Sequence, residues 1–202
     1  MKLFSLCNRL DLGISYMKKH LILLLCIVLV QGCVETAIVA SAVTAVSAAN
    51  DPRSVGSQID DNGIEVRATV KLMKDKEVSD NANITLVSYN GQLLAVGQAP
   101  TQALITKIDG ILKSVDHVIK VHNQVKVGPL ASVGSKAKDV WITTKVKSAF
   151  LANDKIEGTK IKVITEAQEV YLLGIVSPEQ ANEAASVASK ISGVDRVIKV
   201  FE

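Results

Sequence analysis

Apolar residues fill one stretch of the chain without a break and then recur at spacings that change along it. Leu21 to Val30 is a run of ten apolar residues, LILLLCIVLV, between Lys18-Lys19-His20 and Gln31-Gly32-Cys33. Residues 34–59 are rich in Ala, Val, Ser and Thr and are broken by Asn50-Asp51-Pro52. They read as a tether, in which 37–49 is a candidate short helix without a polar face. Beyond the tether Asp60 or Asp61 can cap a helix over 63–74. Strands are expected over 84–89 and 92–98 around Asn90-Gly91, a strong hairpin signal. A helix follows over 103–114, with Leu104, Ile108, Ile111 and Leu112 at helical spacing, and then a strand over 117–127. The rest of the chain gives a helix over 139–152, strands over 160–165 and 169–176, a helix over 178–191 opened by Pro178, and a strand over 194–201.

The second set repeats the first. Asp116-His117-Val118-Ile119-Lys120-Val121 matches Asp195-Arg196-Val197-Ile198-Lys199-Val200 in five of six positions at an offset of 79. Ile84-Thr85-Leu86-Val87 aligns with Ile161-Lys162-Val163-Ile164, and Gly97 with Gly174, at an offset of 77. Val66 and Val70 fall on Ile142 and Val146 at an offset of 76. Each unit is therefore read as αββαβ, an α+β fold in which two helices lie on one face of a three-stranded mixed sheet and bury the apolar sides of both. The expected organisation is a signal over 1–32, a lipidated N-terminus and tether over 33–56, one domain over 57–127, a linker over 128–137 and a second domain over 138–202.

Ten helical residues rise only about 15 Å, half of a hydrocarbon core of roughly 30 Å. With its basic flank the run describes an export signal. Leu29-Val30-Gln31-Gly32-Cys33 resembles the bacterial lipobox, which implies cleavage before Cys33 and acylation of its thiol and amine. An ordinary secretory signal with a chance cysteine is the alternative. Met17-Lys18-Lys19 opens a complete signal by itself, so Met17 is the expected start and 1–16 an upstream extension. Cys7 and Cys26 leave with the signal, and a lone cysteine in an oxidising compartment can form no internal disulfide. Val34, rather than Asp, follows Cys33. By resemblance to the lipoprotein sorting rule this implies the outer membrane.

The duplication is similar to the BON domain, named for bacterial osmotic and nodulation proteins. The motifs that carry the likeness are the glycine closing the second strand, in Leu94-Ala95-Val96-Gly97 and Tyr171-Leu172-Leu173-Gly174, and the segments Ser114–Val118 and Gly193–Val197. With the lipobox, and with Asp51-Pro52-Arg53-Ser54-Val55-Gly56 and Trp141-Ile142-Thr143-Thr144-Lys145-Val146, the chain resembles the dual-BON outer-membrane lipoproteins associated with division and envelope stress. That resemblance implies phospholipid binding through the first helix of the second domain, a periplasmic-facing position and a role in envelope integrity at division sites.

Chemistry is sparse. His117 and His122 sit five apart on one expected strand and so face opposite sides. No cysteine remains to join them, which excludes a His/Cys metal site. No phosphate loop or hydrolase motif is present, so neither a cofactor nor a catalytic residue is expected. Asp60-Asp61 reads as helix capping and solvated charge. Gly97 and Gly174 read as structural, placed where a side chain would meet the following helix.

The helix over 139–152 is less bland. Ile142, Val146, Ala149 and Phe150 form its core stripe. Trp141, Thr144, Ser148 and Leu151 then fall on the opposite side, flanked by Lys145 and Lys147. The positions read as their counterparts in the first unit are Glu65 and Asp75. Lys and Arg number 23 against 20 acids, but removal of 1–32 leaves 19 of each, which argues against a nucleic-acid partner. The basic excess lies instead at 136–162, with seven basic and three acidic residues. A tryptophan between lysines suits the headgroup layer of an anionic bilayer; packing between the domains is the other reading. Anionic phospholipid is the expected partner, and envelope proteins, with the chain as an adaptor, are the rival.

Overall fold

The computed structural model describes residues 51–202. The signal, the 37–49 helix, the Met17 start and Cys33 lie outside the described residues. The elements are α1 (Val55–Lys74), α2 (Lys76–Asn81), β1 (Asn83–Tyr89), β2 (Gln92–Ala99), α3 (Gln102–Lys113) and β3 (Lys120–Val127). They are followed by α4 (Val133–Leu151), a 3-10 turn (Gly158–Lys160), β4 (Ile161–Glu166), β5 (Glu169–Gly174), α5 (Pro178–Ser189) and β6 (Arg196–Phe201). In each unit the central strand pairs antiparallel with the strand before it and parallel with the strand after the helix. This is the expected pair of three-stranded mixed sheets in an α+β fold.

The two sheets pack face to face. One face of the first sheet carries Leu93, Ala95 and Val125 against Ile64, Ala68 and Leu72 of α1 and Leu104, Ile108 and Leu112 of α3. Val170, Leu172 and Val163 meet Ile142, Val146 and Phe150 of α4 and Ala184 and Ala188 of α5 in the same way. The opposite strand faces form a third core of Val87, Tyr89, Leu94, Val96, Tyr171, Leu173 and Val200. The order of layers is therefore helices, sheet, sheet, helices. Covering on both sides explains why β2 and β5 read as nearly continuous apolar runs. Each fully buried Leu or Val contributes about 1.5–3 kcal/mol by leaving water.

Polar contacts close the edges of this junction. Gln98 Nε2 donates to Glu166 Oε1 at 2.6 Å, while its Oε1 accepts from the Ala131 amide at 3.1 Å. Glu169 is buried and accepts from Lys126 of the first unit at 2.5 Å and from Arg196 at 2.6 Å. The Tyr171 hydroxyl donates to it at 3.0 Å. Burial raises the Glu169 pKa, but the Lys126 and Tyr171 hydrogen bonds outweigh burial and hold it below the ordinary value.

Several elements differ from expectation. α1 starts at Val55 because Ser54 accepts from the Ser57 amide; Asp60 and Asp61 are interior, and Asp61 is buried. α4 starts at Val133 because Ser132 caps it, so the expected linker supplies the first turn of the helix. Asp75 caps α2, which the sequence did not reveal, and accepts from the Val78 amide at 3.2 Å. β3 starts at Lys120, leaving His117 in a turn with φ of 68°. His117 and His122 are thus not on one strand. His122 lies beside Gln92 Oε1 at 2.7 Å, and burial lowers its pKa.

Both glycines close against the preceding strand rather than the following helix. A Cβ on Gly97 would lie 1.9 Å from the Asn83 carbonyl oxygen, and φ there is +138°. A Cβ on Gly174 would lie 2.7 Å from the Lys160 carbonyl oxygen.

Candidate functional site

A buried carboxylate on the first helix of each unit holds that unit's hairpin. Asp61 Oδ1 accepts from Ser88 Oγ at 2.6 Å and the Gly91 amide at 2.9 Å; Oδ2 accepts from the Asn90 amide at 2.8 Å and Arg53 Nη1 at 2.6 Å. Asp139 accepts from the amides of Ala167 and Gln168 at 2.9 and 2.8 Å. Asn90-Gly91 and Ala167-Gln168 all have positive φ. Asn and Gly suit that geometry, whereas Ala-Gln resists it by about 1–2 kcal/mol per residue. Two hydrogen bonds to a carboxylate, about 1.5–3 kcal/mol each, offset that cost. Asp51 also binds Arg53, whose guanidinium stacks 4.0 Å from the Tyr89 ring centre. The end of the expected tether is therefore part of the folded unit.

These carboxylates set the correspondence between the helices. Ser54, Asp61, Ile64, Ala68 and Leu72 of α1 match Ser132, Asp139, Ile142, Val146 and Phe150 of α4 at a constant offset of 78. The counterpart of Trp141 is therefore Gly63, and that of Leu151 is Met73, not Glu65 and Asp75. Val66 and Val70, read as core, are exposed. Glu65 instead matches Thr143. It accepts from the Ser88 amide at 2.7 Å and pairs with Lys162 of the second unit at 3.4 Å.

On α4 the core stripe is Ile142, Val146 and Phe150, with Ala149 half-buried. The opposite face carries Trp141, 63% exposed, and Leu151, 71% exposed. Thr144, Ser148 and Lys147 are also exposed there. Val133 and Val140, which the sequence reading did not single out, are exposed as well. Their spacing of seven residues, two helical turns, beginning just after the Ser132 cap, was the available signal. Trp141 is not part of the core between the units. The Lys145 ammonium lies 6.0 Å from the Trp141 ring centre, at the limit for a cation–π contact, and donates to the Ser192 carbonyl. Lys147 makes no ion pair among the described residues. The face is a strip of large apolar groups and hydroxyls edged by ammonium groups. It can insert shallowly into an apolar–aqueous boundary, but it brings no acid, base and nucleophile together.

The BON domain model matches residues 60–129 and 138–202. The chain belongs to the BON-domain family and carries two copies of the domain. It is 42% identical over 189 residues to the outer membrane lipoprotein DolP of Haemophilus influenzae, covering 94% of this chain and 97% of that protein. It is 43% identical over 151 residues to the 21 kDa hemolysin of Actinobacillus pleuropneumoniae, covering 75% and 78% respectively. A more distant relative is the osmotically-inducible protein Y of Escherichia coli, 28% identical over 150 residues, covering 71% and 72%. The chain is a dual BON-domain outer-membrane lipoprotein. None of the three relatives bears the name of an enzyme.

Proposed function

We propose that the chain is a non-enzymatic protein, anchored through acylated Cys33 and facing the periplasm, that binds anionic phospholipid through α4 and supports envelope integrity at division sites. The observation that carries this reading is Trp141. A tryptophan left 63% exposed on a helix with Val133, Val140 and Leu151 presents large apolar area to solvent. Transfer of that area into the headgroup boundary is favourable, and each nearby lysine adds roughly 1 kcal/mol at an anionic surface.

The test is vesicle binding by the mature chain from residue 34, prepared without lipid. Trp141→Glu should fold with near-parent stability, because it removes no core packing, and lose binding to anionic vesicles; Leu151→Asp should do the same. Parent binding should weaken with salt, since screening acts over about 8–10 Å, and Trp fluorescence should shift to the blue on binding. Unfolding of the second unit by Trp141→Glu, or binding equal to the parent, would overturn the reading.

The adaptor reading is favoured by a different observation. Val55, Ile59, Val66, Val70 and Met73 are all exposed and form one stripe along α1, a surface that suits an apolar protein partner. Val66→Asp should leave vesicle binding intact and weaken capture of an envelope protein.

A further inference from the structure

β1 is an outer strand of the first sheet, paired on one side only. Its hairpin closes on Tyr89 opposite Gln92. Val87 and Thr85 therefore exchange hydrogen bonds with β2, while Leu86 and Ile84 turn their amide and carbonyl groups away from the sheet. Ser88 shows the same direction: its outward amide donates to Glu65 and its outward carbonyl accepts from Lys162. Among the described residues nothing hydrogen-bonds to the outward groups of Ile84 and Leu86. Neither a charge nor a proline guards this stretch, Asn83-Ile84-Thr85-Leu86-Val87, although exposed edges are commonly blunted by one or the other. Beside it lies a groove of about 290 Å³, lined by Leu72 and Met73 of α1, Val78, Ala82, Ile84 and Leu86. Ile84 and Leu86 are half-buried, and Met73 is 67% exposed. In the second unit the same edge is closed. Ile161 and Val163, the counterparts of Ile84 and Leu86, are 4% and 2% exposed, and the Ile161 amide donates to the Gly158 carbonyl.

We propose that β1 takes up an extended segment of a partner polypeptide as an added edge strand, with its main chain bonded to Ile84 and Leu86 and its apolar side chains seated against Met73 and Leu86. The spacing of the open groups selects this occupant. Two donor–acceptor pairs stand two residues apart, about 6.7 Å along the strand, and another extended backbone repeats its own groups at that interval. A helix satisfies its main chain internally, and a lipid tail carries no donors. The groove lies on one side of the added strand, so every second side chain reaches it. The site is on the first unit and is independent of the lipid reading of α4.

The experiment titrates the unlipidated mature chain with a short synthetic peptide in which Val alternates with Glu, following amide shifts and hydrogen exchange by NMR. In the free protein the Ile84 and Leu86 amides should exchange faster than those of Thr85 and Val87. The peptide should shift the Ile84 and Leu86 amides and slow their exchange. Methylating alternate peptide nitrogens on the edge-facing side keeps every side chain and should weaken binding about tenfold or more. Grouping the Val residues at equal composition should weaken it several-fold. Ile84→Pro removes one outward donor and should bind at least about fivefold more weakly than Ile84→Ala, which removes packing but keeps the donor. Met73→Lys should weaken peptide binding several-fold and leave vesicle binding at the parent level. Absence of binding at millimolar peptide, or equal affinity of the methylated peptide, would overturn the proposal without any change to the protein. Shifts confined to Ile59 and Val66 would move the contact to the α1 stripe and overturn it as well. Self-association of the parent that Ile84→Pro abolishes would give the edge to a second copy and overturn the partner assignment.

Discussion

Asp61→Asn removes one charge and nearly no volume, yet the geometry predicts a large loss of stability. Asp61 is 3% exposed and its two oxygens take four donors. An amide has one oxygen. If that oxygen keeps Ser88 and Gly91, the NH2 group faces the Asn90 amide and Arg53, donor against donor. Each buried donor left unpaired costs about 1–3 kcal/mol, and breaking a buried ion pair costs about 3–5 kcal/mol. Arg53 keeps Asp51 at 2.6 Å, so the two penalties overlap, and the expected loss is about 3–5 kcal/mol. That corresponds to a fall in Tm of roughly 6–20 °C. Asp60→Asn, on the exposed neighbour, should change stability by less than about 0.5 kcal/mol.

The pH dependence checks the cause. Burial raises the Asp61 pKa, but the hydrogen bonds from Ser88, Gly91, Asn90 and Arg53 together outweigh it and hold the carboxyl below its ordinary value. A depressed carboxylate pKa contributes stability that is complete above the unfolded value, about 3.9. That stability drains away as pH falls through the folded value. The parent–variant gap in urea or thermal melts should therefore be widest near neutral pH and close below about pH 4. A gap under 1 kcal/mol at pH 7, or one that persists unchanged in acid, would refute the argument.

Asp139→Asn loses one of two hairpin hydrogen bonds and no guanidinium partner, so melting should show a smaller cost of about 1–3 kcal/mol. Gly97→Val should destabilise more than Gly174→Val, because a Cβ at Gly97 meets backbone at 1.9 Å against 2.7 Å and φ there is left-handed; ordinary overpacking alone costs about 1–3 kcal/mol. Cys33→Ser should incorporate no labelled fatty acid in cells, and unchanged labelling would refute acylation at that residue.

Much of the fold was legible because the repeat exposed it twice. The hairpin at Asn90-Gly91 and Pro178 opening α5 each carry a local cause visible in one or two residues. What stayed hidden depended on partners far apart in the chain. Nothing near Asp61 in sequence marks it as buried; its donors are Arg53, Ser88, Asn90 and Gly91. A DD pair before an apolar run looks like a cap, and Ser54 three residues before Ser57 is an equally good one. The hairpin at Ala167-Gln168 carries no turn residue of its own, because Asp139 supplies the stabilisation from across the unit.

The same long-range dependence explains the misplaced counterparts of Trp141. An offset of 76 puts valines on the core positions Ile142 and Val146, and so looks correct by hydrophobicity alone. The buried carboxylates fix 78 instead, and exposed valines then line α1. Both units therefore carry an apolar strip on the outer face of their first helix. The first has β-branched residues and Met73, with Gly63 where the second has Trp141. The second has a tryptophan, hydroxyls and unneutralised lysines at its edges. Arg67 of α1 stands where α4 has Lys145, and Lys74 is exposed in the last turn of α1, so the helices differ in the side chains that make up their exposed apolar strips, not in whether they have one. A strip that includes a tryptophan suits a charged lipid boundary, whereas a wholly aliphatic strip suits an apolar protein surface. Because the two sheets pack together between them, α1 and α4 lie on opposite outer layers. If the second unit lies on a bilayer through α4, the α1 strip of the first unit is turned away from that bilayer, where a second macromolecule can reach it.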